Sequence, residues 1–191
     1  MERASPRRFA VLDRDGTLIE GVQPYVLHPD HVALLPGVAE GLRNLRSLGL
    51  GLIVVTNQPA VGRGLMGAAR LGEINRRFTE LLAAEGAALD GIYVCTHHPD
   101  EECVCRKPKP GLIEQAAKDL QFDPRSSFVI GDNSSDVELG RAVGATTVLV
   151  RTGHGVKVEA DGLTRSDCVA NDFLEAVGMI RAMLQESPAA S

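Results

Sequence analysis

The chain alternates between two periodicities, and that alternation constrains its fold more than any single residue does. Short apolar runs at residues 8–12, 50–55, 91–95, 127–130 and 146–150 read as strands. Between them lie apolar residues at helical spacing. These are Val38, Leu42, Leu45 and Leu48 with Gly49 as a stop, then Leu71, Ile74, Phe78 and Leu81, then Leu112, Ile113, Ala116, Ala117 and Leu120. A further helix is signalled by Ser135 with Glu138 three residues on, in the spacing of a capping box, and stops at Gly144. Val169 marks a short edge strand, and Phe173, Val177, Ile180 and Leu184 mark a last helix. Strands alternating with helices predict an α/β fold, a parallel sheet covered on both faces. Ligands of such sheets bind beyond the carboxyl ends of the strands, so the polar residues that end these runs are the candidates for function.

The first run ends most abruptly. Phe9, Ala10, Val11 and Leu12 lead straight into Asp13-Arg14-Asp15-Gly16-Thr17. Carboxylates at the end of a buried strand are costly to desolvate unless something compensates them, and a shared divalent cation does so. Asp13 is the candidate nucleophile and Asp15 the candidate acid/base. The run at 50–55 ends in Thr56-Asn57-Gln58, whose hydroxyl and amides suit phosphoryl oxygens, and the run at 127–130 ends in Gly131-Asp132. Asp132 is expected to be the third protein contact of the cation. Asp136 is expected in a helix's first turn, orienting the metal's waters or Lys107. The Gly- and Pro-marked loop through Tyr25 and Pro36 reads as a flap over the first strand's end.

The loop Cys95-Thr96-His97-His98-Pro99-Asp100-Glu101-Glu102-Cys103-Val104-Cys105 carries Cys-x-His and Cys-x-Cys five residues apart. Cys95, His97, Cys103 and Cys105 suit a closed tetrahedral zinc site, with His98 as a lesser alternative to His97. With no open position, such a zinc ion is structural. Arg106-Lys107 follows the last thiol directly, so the ion would staple both cations in place. Lys107 suits a phosphoryl group, and Arg106, a planar fork, suits a second anion or hydroxyls. Arg63, between Gly62 and Gly64, is a further candidate for reaching substrate, as is Arg14 between the two aspartates. Cys168 reads as a small buried hydrophobe, and His28, His31 and His154 as turn or surface residues.

At 191 residues with 44% hydrophobic and 24% charged residues, the chain fits one domain over 8–186, with loose tails at 1–7 and 187–191. A net charge of −5 argues against nucleic acid or an anionic membrane as partner. No apolar run reaches membrane-spanning length, and the basic first residues lack the apolar segment of a signal peptide. A cytoplasmic protein acting on a small molecule is the expectation. The intervals between Asp13 and Thr56 and between Gln58 and Arg106 leave no room for a separate cap domain.

Taken together, Asp13-x-Asp15-Gly16-Thr17, Thr56, Lys107 and Gly131-Asp132-x-x-x-Asp136 resemble the four-part pattern of the haloacid dehalogenase superfamily of aspartate-nucleophile phosphatases. The Thr56-Asn57-Gln58 triplet, the cysteine loop and Arg106-Lys107-Pro108 are similar to the branch that holds heptose bisphosphate and histidinol-phosphate phosphatases. The resemblance implies a three-layer Rossmann-like sheet with a minimal cap. It implies Mg²⁺ held by Asp13, the Asp15 backbone carbonyl and Asp132, with Thr56 and Lys107 stabilising the transferring phosphoryl group. Asp13 would become esterified, and Arg106 would recognise substrate beyond the reacting phosphate. The implied substrate is a heptose 1,7-bisphosphate losing its 7-phosphate, with histidinol phosphate or another small sugar phosphate as the alternative. Asn133, counted with the substrate-binding residues, stands where the heptose enzymes often carry a lysine. Outside enzymes, a phospho-accepting receiver module also combines acids, a Thr and a Lys on a parallel sheet, but lacks a zinc loop. A monomer is expected.

Overall fold

The computed structural model describes residues 7–186. Strands Phe9–Leu12 (β1), Gly51–Asn57 (β2), Gly91–Cys95 (β3), Phe128–Gly131 (β4), Thr146–Val150 (β5) and Cys168–Ala170 (β6) form one parallel sheet, ordered β3-β2-β1-β4-β5-β6. The helices are Val38–Ser47 (α1), Pro59–Gly62 (α2), Ala68–Ala84 (α3), Gly111–Leu120 (α4), Ser134–Val143 (α5), Gly155–Asp161 (α6) and Phe173–Glu186 (α7).

Side chains of a strand alternate between faces, and here both faces are dry. Ala10 and Leu12 of β1 join Leu52, Val54, Ile130 and Val148 in a core beneath α1, α3 and α7. Phe9 and Val11 join Ile53, Val55 and Val129 in a second core beneath α4 and α5. Continuous apolar character in the strands follows directly from this three-layer arrangement. Each face closes by matching a helical stripe to a strand face: Val38, Leu42 and Leu45 from α1, Phe173, Val177 and Ile180 from α7, and Leu112, Ile113 and Ala116 from α4.

Several local expectations shift. On α3 the buried face is Leu71, Ile74, Phe78 and Leu82, with Leu81 at the margin. Leu48 caps α1 from outside it. The cap of α5 is Asn133, not Ser135, and the reciprocal partner is Asp136 rather than Glu138. The short helices α2, which starts at Pro59, and α6 add to those the apolar spacing predicts. Cys168 is half-buried rather than buried. Of the residues expected to be loose, 1–6 and 187–191 lie outside the described residues. Arg7 packs over the Phe9 ring, 5.3 Å from its centroid, and donates to the Leu50 carbonyl at 3.4 Å.

Residues 18–35 follow the carboxyl end of the central strand β1 as the expected flap, with Leu18, Ile19, Val26 and Val32 of the segment buried. Backbone bonds from Glu20 N to Ala33 O, 2.9 Å, and from Leu35 N to Leu18 O, 3.1 Å, hold its two arms together. No helix of the described residues is long and apolar enough to cross a membrane.

Candidate active site

The strand order reverses direction between β1 and β4, which is where ligands bind in sheets of this kind. Leu12 is registered with Val54 of β2 and Ile130 of β4. The residues just beyond these positions therefore reach one rim together. Asp13 extends the ladder by one step, its N–H donating to Ile130 O at 3.0 Å. Asp13, Asp132 and Asp136 each bring a carboxylate oxygen to within 4.8 Å of the others.

Lys107 lies between two of these acids. Its Nζ donates to Asp13 Oδ1 and to Asp136 Oδ1, each at 2.6 Å, and its side chain is 4% exposed. Asn57 holds the lysine's own backbone from both sides: Oδ1 accepts from Lys107 N at 3.0 Å, and Nδ2 donates to Lys107 O at 3.1 Å. Asn57, expected to meet substrate, lines the cleft over this rim and also positions the residue that meets the acids. Burial alone would push the Lys107 ammonium down, but the Asp13 and Asp136 carboxylates outweigh it and hold the group above its ordinary value. Asp136 is pushed up to about 6, first by burial and then by Asp13, against the opposing pull of Lys107. Its other oxygen accepts from Asn133 N at 3.1 Å as half of the capping box.

Asp132 is 1% exposed and is pushed up to about 8, by burial first and by the Asp13 and Asp136 charges next. Its Oδ2 accepts the His154 N–H at 2.7 Å. Two glycines make room for it. A Cβ on Gly16, at φ +87°, would fall 2.4 Å from Asp132 Oδ2, and one on Gly153, at φ +53°, would fall 2.0 Å away. Three crowded carboxylates with one ammonium among them, and a carboxyl raised by its neighbours' charge, form a donor set that fits a hard divalent cation.

Asp15 is held separately. Gln58 Nε2 donates to its Oδ2 at 2.5 Å and to Thr56 Oγ1 at 3.0 Å, which leaves the Thr56 hydroxyl proton free to donate. Arg14 Nη2 donates to both Asp15 oxygens, at 3.1 and 3.0 Å. Arg14 itself is 0% exposed and does not line the cleft, so the expected contact with substrate is corrected to one with Asp15.

A cleft of about 770 Å³ opens over this rim, lined by Asp13, Asp15, Thr56, Lys107, Asp132 and Asn133, by flap residues Glu20–Val26, and by His154. Asn133 reaches the cleft, although its side-chain oxygen accepts the Ser135 N–H of the helix cap at 3.3 Å. Arg63 is exposed and lies outside the lining. Arg106 also lies outside it, with its guanidinium turned onto the His97 carbonyl. Sequence reasoning missed Gly153 and the His154 backbone. Their one signal was position: Thr152-Gly153-His154-Gly155 follows β5 as Asp132 follows β4.

The cysteine loop gathers as expected. Cys95, His97, Cys103 and Cys105 bring their donor atoms within 4.8 Å of one another. Cys95 Sγ lies 3.8 Å from Cys103 Sγ and 3.6 Å from His97 Nδ1, and His97 Nδ1 lies 3.1 Å from Cys105 Sγ. Two thiolates about 2.3 Å from a common tetrahedral ion stand about 3.8 Å apart, whereas a disulfide needs about 2.05 Å. Burial, then the neighbouring Cys95 and Cys103 sulfurs, push the Cys105 thiol up to about 12, the mark of donors packed without a counter-charge. The loop abuts α2, where a Cβ on Gly62 would fall 2.2 Å from His98 N.

Residues 104–176 match the family profile described as "HAD-hyrolase-like". The chain belongs to the haloacid dehalogenase-like hydrolase family, among its phosphatases. It is 37% identical to the D-glycero-beta-D-manno-heptose-1,7-bisphosphate 7-phosphatase of Yersinia pestis, over 95% of this chain and 98% of that one. To the protein of the same name from Haemophilus influenzae it is 39% identical, over 90% and 96% of the two chains. Its fold matches the crystal structure of D,D-heptose 1,7-bisphosphate phosphatase from B. bronchiseptica complexed with magnesium and phosphate. The TM-score is 0.86 at 31% identity, over 94% of this chain and 99% of that one.

Proposed function

We propose that the chain removes the 7-phosphate of D-glycero-D-manno-heptose 1,7-bisphosphate through an aspartyl phosphate formed on Asp13. The observation that carries this reading is the buried lysine bridge. Lys107 occupies one oxygen of Asp13 at 2.6 Å and fixes the carboxylate at the switch point of the sheet. The names of the relatives and of the matching crystal structure supply the substrate class.

In the first half-reaction the Asp13 carboxylate attacks phosphorus and the bond to the sugar oxygen breaks. Asp15, held by Gln58 and Arg14 and open to the cleft, gives that oxygen its proton. In the second, Asp15 takes a proton from water as the water attacks phosphorus, and Asp13 is released. The Thr56 hydroxyl and the Lys107 ammonium donate to the phosphoryl oxygens throughout. Asp13, Asp132 and the Asp15 backbone carbonyl would hold Mg²⁺, which when bound neutralises phosphoryl charge.

Zinc on Cys95, His97, Cys103 and Cys105 is assigned a structural role, ordering the chain that leads into Arg106 and Lys107. Arg106 is assigned to the second phosphate, which requires its guanidinium to leave the His97 carbonyl. The small cleft and its flap suit a metabolite, and we place the protein in the cytoplasm as a monomer.

The test is phosphate release with Mg²⁺ from both anomers of heptose 1,7-bisphosphate and from histidinol phosphate. Repeated turnover with the highest kcat/KM on a heptose bisphosphate is expected. A preference for histidinol phosphate would overturn the substrate, and stable phosphorylation without release would overturn the enzyme class.

A further inference from the structure

Arg14 heads the fully buried side chains by residue volume among the described residues, and it carries a charge. A guanidinium has five donors and no acceptor, and in this position they are closed to bulk solvent. Nη2 donates to the two oxygens of Asp15 at 3.1 and 3.0 Å. Nη1 donates to Asn75 Oδ1 at 2.7 Å, and Nε has no partner. The other end of this fork is therefore fixed by one neutral side chain from α3, 61 residues further along the sequence. Since guanidinium only donates, the Asn75 amide must present its oxygen.

We infer that Asn75 is a positioning residue for proton transfer: it holds the Arg14 fork so that Nη2 aims the Asp15 carboxyl group at the leaving oxygen. This rests on the proposed role of Asp15 as the acid. Asn75 lies outside the cleft lining, and its side chain is hydrogen-bonded to Arg14 rather than to Asp13 or Lys107. Its neighbours Ile74 and Phe78 are fully buried in the core, which fixes the rotation of α3 and hence the place of the amide. Without the Asn75 oxygen, neither Nη1 nor Nε of this rigid fork has a partner. The fork then turns to satisfy them and carries Nη2 off Asp15. The carboxyl is 27% exposed and faces the open cleft, so its second tether, the single bond from Gln58, does not by itself set the plane of the group.

Leaving-group dependence distinguishes this from a merely structural role. An alkyl phosphate needs a proton on its departing oxygen, whereas p-nitrophenyl phosphate leaves as a stable anion without one. In kcat/KM, which reports the steps through formation of the aspartyl phosphate, Asn75→Ala is expected to lose roughly tenfold to a hundredfold on the heptose bisphosphate and less than about twofold on p-nitrophenyl phosphate. Asn75→Leu, similar in size and without an acceptor, is expected to reproduce the split if the alanine variant folds poorly. Equal losses on both substrates, or no loss on either, in a variant that melts cooperatively would overturn the inference. Asp15→Asn is the parallel control. If Asp15→Asn shows the split and the Asn75 variants do not, Asn75 alone is misassigned. If Asp15→Asn shows no split, the acid role fails and the inference falls with it.

Discussion

Replacing Lys107 by methionine keeps a side chain of similar length and deletes the one cation between Asp13 and Asp136. The three side chains are 4%, 11% and 3% exposed, and both contacts are 2.6 Å. Removing one partner of a buried ion pair leaves the other charge uncompensated and costs about 3–5 kcal/mol. At about 2–4 °C per kcal/mol for a domain of this size, Lys107→Met should melt roughly 6–20 °C below the parent at alkaline pH. The deficit should depend on pH in a definite direction. Asp136 titrates at about 6 in the folded protein, above the usual carboxylate range, with burial as the main cause and Lys107 pulling the other way. A raised carboxyl group stabilises the fold fully only below its unfolded value, and that contribution is lost as pH rises through about 6. Without Lys107 the Asp136 value moves higher still, so the variant becomes neutral at this site earlier on acidification and part of its deficit disappears. Urea unfolding of both proteins without added magnesium, at about pH 8.5 and about pH 5.5, measures the difference. A deficit that is equal at both values, or that grows on acidification, would refute the buried bridge as the source of the effect.

The raised Asp132 predicts a proton-linked cation site. Its value of about 8 comes from burial and then from Asp13 and Asp136, so its contribution to the metal-free fold is lost as pH rises through about 8. Because Mg²⁺ must displace that proton, apparent affinity by calorimetry should rise by up to about tenfold per pH unit toward about 8 and flatten above it; a flat profile would contradict the assignment. Gly153→Ala would place a Cβ 2.0 Å from Asp132 Oδ2 at a positive φ. It should lower kcat by at least about a hundredfold, and full activity would show that Asp132 has more freedom than the cradle allows. Metal analysis should return about one zinc per chain, lost in Cys105→Ser and retained in Cys168→Ser, with kcat falling alongside the zinc. A zinc-free protein of unchanged stability and activity would remove the loop's structural role.

The sheet and its polar rim were legible because the signals are local. An apolar run that ends in acid identifies both a strand and its functional end, and Asp13, Thr56 and Asp132 meet through strand register alone. Cysteine spacing likewise needs only a short loop to close. The direction of side chains in turns was not legible. Arg14 and Asp15 are neighbours, yet the first is sealed inside against Asn75 of α3 and the second opens to the cleft. Nothing within a few residues of Arg14 specifies that. Asn57 turns to the Lys107 backbone 50 positions away, and Arg106 folds back on His97. In each case the side chain satisfies a partner, the Asn75 amide for Arg14 and a backbone group for Asn57 and Arg106, that the folded chain brings to it. The helix cap was misread for a simpler reason: Asn133-x-x-Asp136 and Ser135-x-x-Glu138 carry overlapping signals, and the strand's exit places Asn133 at the helix's first free N–H groups.

The proposal that Asp13 bonds to phosphorus is tested most directly by trapping the acyl phosphate. Borohydride added during turnover of a heptose bisphosphate with Mg²⁺ should reduce Asp13 to homoserine, found by mass spectrometry of the peptide containing residues 9–17. Omitting substrate, or using Asp13→Asn, should abolish both the trapped product and phosphate release. Homoserine at any other position, or hydrolysis that continues in Asp13→Asn, would contradict it.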